Sequence, residues 1–171
     1  MDLFGKLYAR SLRYLSYRPR SVHEVKLFLQ KAAISKSLAY EHTDDAMIES
    51  VLARLQEQKF LDDNEFAKWW IDQRNRVKPT GERLLKMELK QKGIDAEIVD
   101  EQIKGDKEKM SNEISPLEAL IQRRIGRYKG LPEKEVYQKL GQFLMRRGFG
   151  YGEIKPELTK FLKKEYNAEE E

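Results

Sequence analysis

Apolar residues recur every three or four positions along most of this chain, which is the spacing of one face of an α-helix. The clearest example runs from Leu117 to Tyr128, where five large apolar residues follow one helical stripe. Similar stripes lie at 22–32, 48–55, 66–77, 84–89, 136–144 and 154–162. Strand-like alternation is hard to find. The pattern predicts an all-α protein with nine helices in three groups of three.

Turn and capping residues mark where these helices begin and end. Ser21-x-x-Glu24 has the form of a capping box, and Asp62-x-x-Glu65 has the same form with aspartate as the cap. Prolines at 79, 116 and 132 favour helix starts, because the first turn of a helix does not need the amide hydrogen that proline lacks. Gly93 and Gly148 stand where a left-handed residue closes a helix.

One segment recurs with variation along the chain. It reads clearly over 81–95, returns in a run that ends at Arg146-Arg147-Gly148-Phe149, and has a weaker copy over 21–33. We therefore predict repeat 1 over 1–61, repeat 2 over 62–105, an acidic linker over 106–114 and repeat 3 over 115–171, with three helices in each repeat. Repeated surfaces of this kind are typical of proteins that bind something long.

The composition excludes several classes of protein. Charged residues make up 36% and aromatic residues 10% of the 171 positions, so the chain is expected to fold despite its charge. It has no cysteine, which excludes a disulfide framework and thiolate metal sites and fits a reducing cytosol. No stretch has the form of a transmembrane helix or a secretory signal, so we expect a cytoplasmic protein without a membrane partner.

Charge is distributed unevenly along the chain. Residues 64–92 carry eight bases and four acids, a net charge of +4, and residues 117–148 carry eight bases and three acids, a net charge of +5. Between them, residues 93–113 carry seven acids and three bases, a net charge of −4. Basic repeats joined by acidic connections suit a polyanion or an acidic groove on another protein.

Three features suggest a metal or cofactor site, and each has a structural interpretation that fits better. Residues 62–65 resemble a metal-binding cluster but lack the ligand spacing and glycine of a calcium loop, so helix capping is favoured. Residues 148–152 resemble a glycine-rich phosphate loop, yet no strand precedes them, which favours a helix end and a turn. The two histidines, His23 and His42, lack the further ligands of a zinc site. We expect no metal, no cofactor and no catalysis.

Two positions need a tertiary explanation. Trp69 and Trp70 belong to the apolar stripe from Phe66 to Val77, which predicts that at least one of them lies in the core. Arg124 falls inside the apolar arc of its own predicted helix. A buried guanidinium needs partners, so Arg124 either pairs at a repeat junction or borders a binding surface.

Basic residues recur beside the loops at 18–20, 74–78 and 127–129, the same corner of each repeat. A solvated helix face remains open as an alternative, because charge runs on helices are common. The candidate residues for binding a partner or DNA are Arg18, Arg20, Arg74, Arg76, Lys78, Arg83, Lys86, Arg123, Arg124, Arg127, Lys129, Arg146 and Arg147.

Several of these segments resemble the signature of the RecX family of bacterial recombination regulators. The resemblance is most specific at Phe60–Ala67, Gly81–Leu89 and Lys92-Gly93-Ile94, extends to Leu12–Leu29, and covers positions 9 to 165. It implies tandem three-helix repeats that form an elongated, curved module. It further implies a monomer that binds the RecA recombinase filament, modulates and usually inhibits its ATPase and strand exchange, and contacts single- and double-stranded DNA.

The chain departs from the family pattern in the first unit. Lys59 stands where a glycine is expected before the aromatic residue and Leu61-Asp62-Asp63, and Lys31-Ala32-Ala33 stands where a Lys-Gly turn is expected.

Two other classes of function remain open. One is a free-standing DNA-binding protein, since a three-helix unit can present a helix to a groove of DNA. The other is an enzyme that uses carboxylates such as Asp62 and Asp63, for which the sequence supplies no positioned partner.

Overall fold

Most of the described residues of this chain lie in helices. The computed structural model describes residues 2–34, 45–110 and 113–167. Within these ranges there are nine α-helices and no strand, which confirms the predicted all-α class. The helices are α1 Leu3–Leu15, α2 Val22–Ile34, α3 Asp45–Glu57, α4 Asp63–Val77, α5 Glu82–Gln91, α6 Ala96–Lys109, α7 Pro116–Ile125, α8 Glu133–Arg146 and α9 Tyr151–Asn167. A 3-10 turn, Gly126–Tyr128, follows α7.

The helices group into two compact units. Unit one comprises residues 1–69 and 89–102, and unit two comprises residues 70–88 and 103–171. The division falls inside α4 and α5, so each unit contains part of the trio predicted at 62–105. The limits of the three repeats therefore stay a prediction.

In unit one, α1, α2 and α3 pack around one apolar core. Leu7 of α1, Val25 and Leu29 of α2, and Val51 and Leu55 of α3 are fully buried in it. These positions are spaced three or four residues apart along their helices, which places them on one face.

Unit two has its own core, made by α7, α8 and α9. Ile121, Leu140, Leu144 and Leu158 are fully buried in it, and Phe149 joins it from the turn before α9. The stripes predicted at 117–128, 136–144 and 154–162 supply this core, although Tyr128 at the end of the first is only partly buried.

The predicted caps are present at the helix starts. The Ser21 hydroxyl accepts a hydrogen bond from the Glu24 amide at 3.1 Å, and the Ser21 amide donates to the Glu24 carboxylate at 3.4 Å. The Asp62 carboxylate accepts from the amides of Asn64 and Glu65, and the Ser115 hydroxyl accepts from the amide of Glu118. Each side chain satisfies amide groups that the first turn of a helix leaves without a partner.

Three of the turns close with the same hydrogen bonds. After α5 the Gly93 amide donates to the Lys90 carbonyl and the Ile94 amide to the Leu89 carbonyl, and φ at Gly93 is +74°. The turns at Gly148 (φ +87°) and Lys59 (φ +58°) repeat this pattern, which is the Schellman closure of a helix. Lys59 therefore adopts a left-handed backbone conformation, which suits the glycine that the family pattern has at this position. In contrast, α2 continues through Lys31-Ala32-Ala33, since alanine favours the helix.

The first four residues of the predicted acidic linker are helical. Residues 106–109 form the last turn of α6 rather than a loop. Within unit two, Asn75 donates to the Asp106 carboxylate at 2.9 Å, and Lys107 forms an ion pair with Glu82 at 2.6 Å. Lysine and glutamate are good helix formers, so a dense run of charge does not by itself indicate a loop. Residues 111–112 of the predicted linker lie outside the described part of the chain.

The core face of α4 also differs from the prediction. Phe66, Ala67 and Ile71 are buried, whereas Trp69 and Trp70 are only partly buried. Val77, at the end of the predicted stripe, is 77% exposed. The expectation that one tryptophan lies in the core was therefore wrong. The small residue Ala67 takes the core position, because its side chain allows close packing there.

Candidate functional site

A junction in unit one joins the start of α2 to the end of α5. The Ser21 hydroxyl donates to the Lys92 carbonyl at 2.7 Å. Gly93 lies so close to α2 that a Cβ placed on it would come within 2.4 Å of His23 Cβ. The Lys92 ammonium also reaches back and donates to the Glu24 carboxylate at 2.7 Å. The end of one helix is thereby fixed against the start of another by both backbone and side chain.

Glu24 is the charged centre of this junction. Arg18 donates to both of its carboxylate oxygens, at 2.9 and 3.2 Å, and the Glu24 side chain is only 13% exposed. Burial by itself would raise the pKa of Glu24, but the hydrogen bonds from Arg18 and Lys92 outweigh it and lower the pKa from its ordinary 4.5 to about 2. Arg18 is thus held by an acid of its own chain.

The lowered pKa of Glu24 predicts a specific loss of stability in acid. A group with a depressed pKa in the folded state contributes stability at pH values above 4.5, and that contribution disappears as the pH falls toward 2. We expect the free energy of unfolding to lose about 3 kcal/mol from this group across that window. Denaturant unfolding at several pH values, followed by circular dichroism, measures it. The Glu24→Gln variant should be less stable at neutral pH and should vary less with pH between 4.5 and 2; an unchanged slope would contradict the assignment.

An analogous junction within unit two joins the start of α5 to the end of α8. The Gly81 amide donates to the Arg147 carbonyl at 2.8 Å. A Cβ placed on Gly81 would lie 2.3 Å from the Gly148 carbonyl carbon, and one placed on Gly148 would lie 2.4 Å from Leu84 Cβ. In both units, the residue before a left-handed glycine offers its carbonyl to the start of a second helix. The segments that recur in the sequence thus end in the same kind of contact between two helices.

Three of the candidate cations are engaged with acids of their own unit. Arg18 pairs with Glu24, as described above. Lys86 pairs with Glu82 at 2.8 Å on α5. Arg74 donates through Nε to Glu88 at 2.8 Å, and its guanidinium stacks 4.6 Å from the centre of the Trp70 ring. The Trp70 indole N–H donates to the same carboxylate at 2.9 Å. These pairs hold the fold and reduce the positive charge that is available to a partner.

Three other candidate cations stack on aromatic rings, and no acid among the described residues pairs with them. Arg20 lies 4.0 Å from the centre of the Tyr14 ring, which is itself stacked on Phe28 at 4.2 Å. Arg124 lies 3.8 Å and Arg147 5.3 Å from the centre of the Phe143 ring. The ring that Arg124 contacts belongs to its own predicted repeat, so this contact is not a pairing at a repeat junction. The alternative, that Arg124 borders a binding surface, stays a prediction.

The remaining candidates are exposed and concentrate at the carboxyl ends of helices in unit two. They are Arg76 and Lys78 at the end of α4, Arg83 in α5, Arg123, Arg127 and Lys129 at and beyond the end of α7, and Arg146 at the end of α8. Arg83 donates a long hydrogen bond of 3.5 Å to the Met145 carbonyl. Cations at carboxyl ends also interact favourably with the helix dipole, so their position alone does not distinguish binding from helix stabilisation. Their role as a binding surface stays a prediction.

Unit two also contains a cavity of about 390 Å³ that none of the candidate cations lines. Its walls are apolar at Ile71, Leu85 and Phe149. Its charged lining consists of four acids, Glu82, Asp106, Glu153 and Glu157, and one cation, Lys107. Burial raises the pKa of Asp106, despite the hydrogen bond from Asn75. An acidic lining repels anions, so the cavity is not where a polyanion would bind.

The features that suggested metal or phosphate chemistry are structural within the described ranges. Asp62 caps α4, and Asp63 accepts a hydrogen bond from the Val22 amide at 2.9 Å. Among the described residues, no group of three His, Cys, Asp or Glu side chains is placed to hold a metal ion. Gly148 closes α8, and the Gly150 amide donates to the Glu153 carboxylate at the start of α9. In the same described ranges, no helix combines the length and the apolar character needed to cross a membrane.

Reasoning from the sequence did not identify the residues that decide which cations are available to bind a partner. Glu24 and Glu88 neutralise arginines, and the rings of Tyr14, Trp70 and Phe143 support others. A spacing of four residues on one helix links Trp70 to Arg74 and Phe143 to Arg147, which is a signal that the sequence does contain. The pairs Arg18–Glu24 and Arg74–Glu88 join different elements, so no periodicity within a helix identifies them.

Comparison with known proteins places these observations in a family. A family model described as the RecX second three-helix domain matches residues 62–102, and one described as the RecX third three-helix domain matches residues 117–156. The crystal structure of RecX from Lactobacillus salivarius superposes with a TM-score of 0.73 at 22% identity, covering 92% of this chain and 95% of that one. At that identity the similarity shows the fold alone.

Relatives of similar sequence carry the same name. Regulatory protein RecX of Bacillus licheniformis is 31% identical over 159 residues, and that of Halalkalibacterium halodurans is 32% identical over 149. The chain spans only 56% and 52% of the length of these two relatives. Regulatory protein RecX of Thermobifida fusca is 30% identical over 151 residues, which covers 88% of this chain and 76% of the relative. This chain therefore belongs to the RecX family of regulatory proteins.

Proposed function

We propose that this protein binds the RecA nucleoprotein filament and lowers its ATPase and strand-exchange activity, with auxiliary contacts to single- and double-stranded DNA. The observation that carries the proposal is the similarity to Regulatory protein RecX of Thermobifida fusca, at 30% identity over 76% of that protein. The exposed cations of unit two support it, because a nucleoprotein filament is a polyanion. In this proposal the protein acts in the cytoplasm as a monomer.

The mechanism that we propose is steric and electrostatic. Cations at the carboxyl ends of α4, α7 and α8 would contact the filament in its groove, while the engaged arginines Arg18 and Arg74 hold the repeats in shape. Contact with more than one recombinase subunit would resist the rearrangements that hydrolysis and strand exchange require, or would promote loss of subunits from a filament end. The protein performs no covalent step of its own in this scheme.

The exposed cations at and beyond the end of α7 provide the test of the proposed binding surface. We expect a variant with Arg123→Ala, Arg127→Ala and Lys129→Ala to need a roughly tenfold higher concentration to inhibit the RecA filament ATPase, because three charges that face solvent are lost. The helical circular-dichroism spectrum should not change. Arg124 is left intact, since its stacking on Phe143 would confuse binding with stability.

A matched control removes the same charge elsewhere. Lys155, Lys163 and Lys164 are exposed on α9, and their joint replacement by alanine also removes three positive charges. We expect that variant to inhibit nearly as well as the original protein at moderate salt. Equal loss in both variants would show that only net charge matters, and no loss in either would refute the surface.

DNA binding without the recombinase is the second candidate function. Three stacked arginines that have no acid partner among the described residues favour it, because such groups also suit phosphate oxygens; they are Arg20, Arg124 and Arg147. It predicts tight binding to DNA alone with a steep dependence on salt. The filament ATPase assay at two salt concentrations separates the two candidates: competition for DNA weakens sharply with salt, whereas binding to recombinase subunits weakens less.

A further inference from the structure

Two guanidinium groups in unit two share one aromatic ring. Arg124, near the end of α7, lies 3.8 Å from the centre of the Phe143 ring, and Arg147, directly after α8, lies 5.3 Å from it. Two like charges held against the same ring repel each other, and the attraction of each to the ring opposes that repulsion. The arrangement thus concentrates positive charge at one place in the fold.

Neither of these guanidinium groups has a counter-ion in the described part of the chain. Arg124 Nε and Arg147 Nη1 are buried, and no described residue accepts a hydrogen bond from either. Buried donors in folded proteins nearly always have an acceptor, so two orphaned donors in one cluster call for an explanation. An anion that is supplied by a binding partner provides one.

The same chain shows how a stacked arginine is satisfied when its role is structural. Arg74 stacks on Trp70 four residues earlier, and Glu88 accepts from both Arg74 Nε and the Trp70 indole at 2.8 and 2.9 Å. The pair on Phe143 has the stacking without any such carboxylate. The missing component is therefore an acceptor with several oxygens and a negative charge.

We infer that Arg124 and Arg147, supported by Phe143, form a binding site for a backbone phosphate of nucleic acid. Stacking uses the face of a guanidinium and leaves its in-plane N–H groups to donate, and these groups match the oxygens of a phosphate. This inference rests on the proposed function and refines it, because it assigns a DNA contact to two named residues.

Neighbouring charges favour a phosphate over a carboxylate of a protein. Arg123, Arg127 and Lys129 continue from Arg124 along the chain, and Arg146 precedes Arg147; all four are exposed. A single carboxylate such as Glu88 carries one negative charge, whereas a nucleic-acid strand carries a negative charge at every residue and suits a row of cations. Arg124 and Arg147 are held in place by the Phe143 ring and would bind one phosphate directly. The exposed cations would add electrostatic attraction that does not depend on exact geometry.

The test separates geometry from charge by exchanging arginine for lysine. We expect the double variant Arg124→Lys with Arg147→Lys to bind a single-stranded oligothymidylate about tenfold more weakly, because lysine keeps the charge but loses the planar fork and much of the stacking. The control variant, Arg10→Lys with Arg13→Lys, keeps the same charge at exposed positions of α1 that lie outside the proposed binding surface, and it should bind within about twofold of the original protein. Equal affinity for both variants would overturn the inference.

A second arm identifies the class of anion. Polyglutamate of matched charge should displace the oligothymidylate poorly from the original protein, and its own weak binding should be unaffected by the two lysine replacements. Displacement that is as effective as that by unlabelled oligonucleotide, and lost in the Arg124→Lys, Arg147→Lys variant, would assign the site to an acidic protein segment and overturn the phosphate assignment.

A measurement on the unaltered protein covers the case in which the variant does not fold. The side-chain Nε–Hε resonances of Arg124 and Arg147 should shift during titration with oligothymidylate, by more than those of Arg18 and Arg74, which their own acids already hold. Absence of such shifts would overturn the site. In the Arg124→Lys, Arg147→Lys variant, loss of oligonucleotide binding with full inhibition of the RecA ATPase would support the site and agree with an auxiliary role for DNA. Unchanged oligonucleotide binding with full inhibition would refute the site and leave the proposed function standing. Failure of the original protein to inhibit the RecA ATPase would refute the proposed function.

Discussion

Replacing Gly148 with alanine is expected to destabilise unit two by about 3 kcal/mol. Two penalties add up. The backbone at Gly148 has φ of +87°, which is costly for a residue with a Cβ. That Cβ would also lie 2.4 Å from Leu84 Cβ and 2.8 Å from the Leu84 amide nitrogen, so the junction between α8 and α5 would have to open. Urea unfolding followed by circular dichroism measures the change.

Gly152 provides the matched control for Gly148. It lies four residues later, in the first turn of α9, and a Cβ placed on it meets nothing within 4 Å. Alanine favours the helix over glycine, so Gly152→Ala should leave stability unchanged or raise it by up to about 1 kcal/mol. If both replacements had the same effect, the close approach of Gly148 to Leu84 would not be a determinant of stability.

The second large effect is expected at Leu29, in the core of unit one. Its side chain is fully buried, so Leu29→Ala should lower the free energy of unfolding by about 3 to 4 kcal/mol through lost burial and the cavity that remains. Leu27 lies two residues earlier on the same helix and is 44% exposed. The same replacement there should cost less than about 1 kcal/mol.

These two leucines form a controlled pair, because the helix, the residue type and the number of atoms removed are the same. Only burial differs between them. The ratio of their costs in thermal or denaturant unfolding therefore tests the packing of α2 against α1 and α3 directly. Similar costs at both positions would mean that α2 presents a different face to the core of unit one.

Local chemistry made most helix boundaries readable in advance. Ser21, Asp62 and Ser115 cap helices, and Gly93 and Gly148 close them, because these signals act over three or four residues and need no distant partner. The last turn of α6 extends into the predicted linker, where lysine and glutamate favour the helix. The buried face of α4 was misjudged because Ala67 was given less weight than the two tryptophans beside it.

The candidate site was predictable only as a set of basic positions. Nothing local distinguishes Arg74, which Glu88 neutralises, from Arg124, which has no acid partner in the described part of the chain. Both stand on helices with apolar stripes, and each has an aromatic partner. The difference arises because α5 offers a carboxylate to α4, whereas α8 offers Phe143 to α7.

The amino-acid sequence by itself determined that this protein is a series of helices, where their caps and closures lie, and that its repeats carry excess positive charge. These properties depend on periodicity, backbone preference and composition, which are encoded over short stretches. The tertiary structure alone decided that Ser21 meets Lys92, that Gly81 meets Arg147, and which arginines keep their charge available. The first two outcomes depend on contacts between residues more than sixty positions apart, and the third on contacts such as Arg74 with Glu88, which join two helices. Only packing brings these residues within a hydrogen bond of each other.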